Sequence, residues 1–193
     1  VLRFFVPEEG NSNAFALHHT LVYLESDEAL IAAIEAAEET IDLFEVNFSL
    51  GTVCVVLTFL ENPCQDDRLI PPYQQALLTA VAENDVKIRA IVEPSAMNGI
   101  ENRMAIRWWT KELEKIGKED NFEIKFADNK MHDKAFVIDN QLLSVGSQNF
   151  HWSAWGFPSL TEYNVVSEDS TAIEDFYREF EAEWAVGAPA IKE

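Results

Sequence analysis

Hydrophobic positions along the chain change period several times, and each change marks a new element. Leu30, Ile34, Ala37 and Ile41 recur at helical spacing while Glu28, Glu35, Glu38 and Glu39 take the other faces. With Ser26 available as a cap, this predicts a helix over 27–40. The apolar run Ile41 to Phe48 then predicts a strand. After the Pro- and Asp-containing stretch Glu61 to Pro72, Tyr73, Leu77, Ala80 and Val81 mark a second helix, and Val86 to Val92 a second strand. Glu93-Pro94-Ser95 breaks that strand, 101–116 suits a helix, and Phe122, Ile124 and Phe126 alternate as in a half-buried strand. Three short strands follow, His132 to Ile138, Leu142 to Val145 and Tyr163 to Ser167. In the closing helix Ile173, Phe176, Tyr177, Phe180 and Trp184 form one apolar stripe, which reads as core packing rather than a cofactor box.

Strands alternating with helices, then a run of strands, predict an α/β fold, an α-β-α sandwich layered around a mixed sheet. With 193 residues, 48% of them hydrophobic, the chain is long enough for one large core. Residues 26–193 read as a single domain, and residues 1–25, with Glu8-Glu9-Gly10-Asn11-Ser12-Asn13, as an N-terminal arm or linker. No internal repeat is visible. Phe48 to Leu60, the most apolar stretch, is interrupted by Ser49, Gly51, Thr52 and Thr58 and is too short to span a bilayer. It reads as a core element, with peripheral membrane contact the lesser reading.

Charge narrows the choice of partner. Lys and Arg total 14 against 34 Asp and Glu, a formal charge of −20 that repels a nucleic-acid backbone unless basic groups cluster locally. Cys54 and Cys64 are too few for a disulfide framework and lack the partners of a zinc pattern. Buried free cysteines are the expected state, a single loop-closing disulfide the alternative. No metal or cofactor is called for. The chain starts at Val1 without a signal-like segment, so the compartment is open, with a soluble, secreted or processed product all compatible.

The chemically informative segment is Met131-His132-Asp133-Lys134-Ala135-Phe136-Val137-Ile138-Asp139, followed by Val145-Gly146-Ser147-Gln148-Asn149-Phe150 and Thr161-Glu162-Tyr163-Asn164. Residues two apart on a strand share a face, so His132 and Lys134 point together into one cleft and suit phosphoryl chemistry. Asp139 falls at odd spacing from Lys134 and belongs at the following turn, in a structural role. Gly146 lets backbone approach a ligand, and Ser147 and Asn149 offer donors to non-bridging phosphate oxygens. Glu162 can accept a proton from the far ring nitrogen of His132, fixing its tautomer. Trp152, Trp155 and Phe157 either line a substrate entrance, where they could meet a choline-like cation, or pack beneath the loop.

His132, Lys134 and Asp139 match the HKD motif of the phospholipase D superfamily, and Gly146, Ser147 and Asn149 match its downstream element. The element order over roughly residues 26–185 also resembles one repeat of that superfamily. The resemblance implies His132, Lys134, Asp139 and Glu162 as catalytic residues, with Lys134, Ser147 and Asn149 on the phosphate. It implies a metal-independent, two-step displacement through a phosphohistidine, with a second histidine protonating the leaving alcohol. Only one motif is present, since neither His18-His19-Thr20 nor His151 supplies another. The second HKD half then comes from an identical subunit or from another segment of a longer precursor. The latter is preferred, which assigns His132 to leaving-group protonation. The expected activity is hydrolysis or phosphatidyl transfer on phospholipids, with nucleic acid disfavoured by charge. The alternatives are a homodimeric endonuclease and a non-catalytic binding half.

Overall fold

The computed structural model describes residues 15–19, 25–51, 54, 64, 70–94, 98–151, 154–155 and 162–190. Eight strands form one mixed sheet: β1 (Phe15–His19), β2 (Thr40–Glu45), β3 (Lys87–Val92), β4 (Phe122–Phe126), β5 (Lys134–Ile138), β6 (Leu142–Gly146), β7 (Tyr163–Ser167) and β8 (Ala188–Pro189). Their order is β1-β7-β6-β5-β2-β3-β4-β8. The three central strands β2, β3 and β4 run parallel, while β5, β6, β7 and β1 continue the sheet antiparallel on one side. Among the described residues the α-helices are α1 (Glu25–Glu35), α2 (Pro72–Asn84), α3 (Asn98–Ile116) and α4 (Ser170–Val186).

Alternation along the central strands feeds two cores. Ile41, Leu43, Ala90, Phe136 and Ile138 join Ile34, Leu77 and Trp109 of α1, α2 and α3 on one face. Phe44, Ile91 and Val137, one residue out of phase, meet Ile173, Phe176 and Phe180 of α4 on the other. The expected α-β-α layering is therefore what the chain builds. Pro71 and Pro72 preset the entry to α2, and Asp85, at φ 61°, turns the chain out of it toward β3. The α4 stripe packs as core, with Phe44 edge-on to Phe176 and Phe180.

Several boundaries differ from the sequence reading for identifiable reasons. Helix α1 ends at Glu35 rather than 40, because the Asp139 carboxylate takes the N–H groups of Glu38, Glu39 and Thr40 at 2.9, 2.8 and 2.9 Å. Strand β5 starts at Lys134, so His132 precedes it instead of lying on it. Within the stretch read as an arm, Phe15–His19 forms the edge strand β1, paired antiparallel with β7. Strand β8 extends the other edge through Lys125 and Phe126 of β4. Cys54 and Cys64, expected to be free, are joined in a disulfide with Cα atoms 5.0 Å apart. Composition gives the count of thiols, whereas only the return of the chain on itself decides whether two of them meet.

Buried polar groups tie the sheet to its helices. Asp42, 3% exposed, accepts two bonds from the Arg89 guanidinium, Nε–Oδ1 at 2.6 Å and Nη2–Oδ2 at 3.0 Å. That guanidinium lies 4.8 Å from the Phe180 ring centroid and 5.4 Å from that of Trp184, locking α4 over β2 and β3. The Asn102 amide of α3 donates to the carbonyls of Val46 and Glu93 at 3.3 and 3.0 Å and accepts from Phe48 N–H at 2.8 Å. It thereby fixes the carboxyl ends of β2 and β3 together. Asp42→Ala removes the bidentate partner of Arg89 and leaves its guanidinium only the exposed Glu181, so it is expected to lower stability by about 1–2 kcal/mol in urea denaturation.

Candidate active site

The carboxyl end of β2, the start of β5, the end of β6 and the residues entering β7 converge on one edge of the sheet. Antiparallel register sets Lys134 opposite Glu45 and Gly146 opposite Asn164. Lys134 points inward, in the row of Phe136 and Ile138, and is only 9% exposed. Its Nζ lies 3.2 Å from His132 Nδ1 and 3.4 Å from Nε2, and donates to the His132 carbonyl at 3.0 Å. His132 itself is exposed. The expected His/Lys cluster therefore forms, although the histidine reaches it from the segment ahead of the strand. Burial pulls the Lys134 ammonium below its ordinary pKa, against the upward pull of Glu45, Asp133 and Glu162.

Ser147 Oγ donates to Glu162 Oε2 at 2.5 Å, joining the loop after β6 to the entry of β7. Glu162 is thus seen with Ser147, while both ring nitrogens of His132 face Lys134. The loop carrying Ser147 and Asn149 is held from beneath. Gln148 donates to the Ala154 carbonyl at 2.9 Å and accepts from the Asn164 amide. Trp155 donates from Nε1 to the Asn149 carbonyl at 2.7 Å. The Trp155 ring is 4% exposed and packs against Tyr73 and Phe150, with centroids 5.3 and 5.5 Å away. It is no entrance residue: its apolar surface finds more partners under the loop than at a rim. Trp152 and Phe157 lie outside the described residues.

Asp139 shares the motif but not the site. It stands at the far end of β5 from Lys134, with φ 51°, and its carboxylate caps the turn into β2 through three backbone N–H groups. These bonds place its carboxylate at the turn, off the His132–Lys134 cluster, as its odd spacing from Lys134 implied. The negative charge anchors the strand that carries Glu45.

Glu45 is the site residue that the sequence reading passed over. It is 1% exposed, directly across from Lys134, and accepts from Asn47 N–H at 3.1 Å. Burial pushes its carboxyl well above the usual carboxylate range, opposed by the N–H groups of Asn47 and Phe150 and by the charge of Lys134. The available signal was a Glu in phase with Ile41 and Leu43 on a strand whose inward row is otherwise apolar. Farther along the same edge, His151 Nε2 stands 3.4 Å from Glu101 Oε2, and that contact holds the Glu101 carboxyl below its ordinary value.

On the α4 side of the edge lies a cavity of about 570 Å³ with His132 and Asp133 on its rim. Its floor is apolar, with Phe44, Leu143 and Phe176, and Asp175, Glu179 and Glu183 stand around it. Among the described residues no group of three or more His, Cys, Asp or Glu side chains is set to hold a metal ion, and no helix is long and apolar enough to cross a membrane.

Residues 30–184 match a family described as "Cardiolipin synthase, PLD-like domain". No curated protein matches the chain by sequence. Among solved structures, the chain resembles Nuc from Salmonella typhimurium, described as a phospholipase D family member, at 17% identity and TM-score 0.67, covering 92% of this chain and 97% of that one. NucT from Helicobacter pylori is similar at 15% identity and TM-score 0.61, over 92% and 99% of the two chains. Phosphatidylserine synthase of Haemophilus influenzae Rd KW20 is similar at 14% identity and TM-score 0.62, over 93% of this chain but 39% of the synthase.

The division of labour within the motif is open to direct test. Asp139→Ala removes three charge-assisted bonds and is expected to cost about 2 kcal/mol in urea denaturation. Activity per folded molecule should stay within a few-fold of the parent, and a larger loss would return Asp139 to the chemistry.

Proposed function

Because the chain belongs to the phospholipase D-like family and is a phosphodiesterase-superfamily protein, we propose that it cleaves or transfers phospholipid phosphodiesters through a phosphohistidine, using His132 together with the histidine of a second HKD half. The observation that carries this reading is the pairing of the exposed His132 with the partly desolvated Lys134; His132 also lines the apolar-floored cavity on the α4 side, which Lys134 does not. An ammonium drawn out of water binds a phosphate oxygen more strongly than an exposed one, and an imidazole beside it is within reach of phosphorus or of the leaving oxygen.

Two imidazoles divide the work. The lone pair of one attacks phosphorus, forming an N–P bond as the P–O bond to the leaving alcohol breaks. The other, protonated, gives its proton to the departing oxygen. In the second step that same imidazole takes a proton from water or an acceptor alcohol, whose oxygen attacks phosphorus while the N–P bond breaks. Lys134 and Ser147 are suited to the non-bridging oxygens throughout. No metal is required in this scheme, because the developing charge falls on the ammonium and neutral donors.

The choice of lipid over nucleic acid rests on the ground around His132. An apolar floor edged by Asp133, Asp175, Glu179 and Glu183 against the cation Lys130, in a chain of net charge −20, accepts alkyl surface and disfavours a polyanion. The source of the second half is either a second copy or another segment. The near-complete overlap with Nuc and NucT, at 97% and 99% of those chains, supports the first as much as the 39% overlap with the synthase supports the second.

Native mass spectrometry of the purified protein, with turnover on phosphatidylcholine vesicles and on single-stranded DNA, tests the proposal. Turnover of the lipid, unaffected by EDTA and lowered at least about a hundredfold in His132→Asn, is expected. Cleavage of DNA without cleavage of lipid would overturn it.

A further inference from the structure

At the carboxyl end of β2 the buried side chain of Glu45 is only partly satisfied. One oxygen accepts from Asn47 N–H at 3.1 Å, whereas Oε2 is buried without a hydrogen-bond partner. The other buried side-chain atoms in that condition among the described residues are Asn47 Oδ1, Ser49 Oγ and Asn149 Oδ1, every one of them able to accept. Two of the three follow Glu45 on the same chain segment, and Ser49 N–H donates to the Phe150 carbonyl at 2.9 Å, which brings residue 149 alongside. Ionised, Oε2 is a buried acceptor left without a bond, and protonation turns it into a donor. Directly across the ladder stands Lys134, the residue suited to a phosphate.

We infer that Glu45 is a positioning residue acting through Lys134: its carboxylate balances the ammonium in the empty site and takes up a proton when a phosphate-like anion claims that ammonium. The inference rests on the reading that Lys134 holds the anion. Two negative charges sharing one desolvated ammonium repel each other, and the one able to neutralise itself does so. The proton comes from solvent and bonds to the orphaned Oε2, and no covalent bond in the substrate changes. The surrounding groups favour this. Asp133 and Glu162 add negative charge around Lys134, and from α2 the buried Tyr73 hydroxyl faces Glu45 as a neutral phenol. From α3, Glu101 is turned to His151, and ahead of β5 the His132 ring faces Lys134.

The sign of the pH effect follows. Burial already raises the Glu45 carboxyl, and an anion on Lys134 raises it further. Below the resting value Glu45 is neutral and anion binding takes up no proton there. Between the resting value and the value raised by the anion, binding draws a proton in and weakens as pH rises. Glu45→Gln makes the group permanently neutral, so it is expected to tighten anion binding roughly tenfold at the alkaline end of a pH series and to change it little at the acid end.

The probe is inorganic sulfate, which does not itself titrate in this range, with the whole chain as it exists in solution. Infrared difference spectra with and without sulfate should show a protonated-carboxyl band gained by the parent protein with glutamate isotope labelling. The band should persist in Glu162→Gln and be absent from Glu45→Gln. Should Glu45→Gln not fold, the parent and Glu162→Gln spectra decide alone. Sulfate binding without any new carboxyl band overturns the role of Glu45 and leaves the anion site intact. Failure of the parent to bind sulfate removes both. Neither result depends on turnover, so loss of phosphodiesterase activity is a separate finding.

Discussion

The strand pairing that opposes Lys134 to Glu45 governs the active edge of this molecule. An ammonium on a core-facing strand position must leave most of its hydration behind, and a carboxylate across the ladder is what makes that tolerable. The remainder of the edge is arranged around that pair. Asn102 pins the ends of β2 and β3, Asp139 holds the turn that sets the start of β2, and the Gln148–Asn164 and Trp155–Asn149 bonds hold the loop that brings Ser147 to Glu162. None of these supports touches His132, which stays exposed where a second half and a substrate can reach it.

How much of this was legible depends on the range of the physics involved. Helical and strand periods are local properties of the sequence, so the order of elements and their two packed faces follow from positions such as Leu43, Phe44, Phe176 and Phe180. Boundaries were less so. Nothing in residues 36–40 shows that a carboxylate about a hundred positions later claims their N–H groups and stops the helix at Glu35. The Cys54–Cys64 bond and the edge strand Phe15–His19 are likewise decided by partners distant in sequence or by the course of a loop.

The candidate site divides the same way. Spacing points to His132 and Lys134 together, although the segment ahead of β5, rather than the strand's alternation, brings the imidazole there. Odd spacing sends Asp139 elsewhere, so a motif written as three letters contains two kinds of residue. One kind forms the cluster at the active edge, and the other holds the strand that presents it. Trp155 shows the limit of composition as a guide. An indole after a catalytic loop reads equally as entrance or as packing, and only the Tyr73 and Phe150 rings beneath it decide. Glu45 was readable in principle as a charge in phase with Ile41 and Leu43. Its significance arises only from the register that sets β5 beside β2.

An acidic chain that handles an anion is not a contradiction once distance is considered. Most of the carboxylates behind a formal charge of −20 lie on solvated surfaces, where salt screens them beyond roughly 8–10 Å. A phosphate at Lys134 therefore feels chiefly its immediate neighbours, in surroundings where each charge counts for more than it does in water. Those neighbours include Glu45, Asp133 and Glu162, so the local balance around one lysine is itself acidic. Such a site holds a diester monoanion only if some of that charge can be neutralised or directed elsewhere. Glu162 has the Ser147 hydroxyl to bond, and Asp133 is exposed to water. Glu45 is buried with no partner at Oε2, and protonation is the outlet we infer for it.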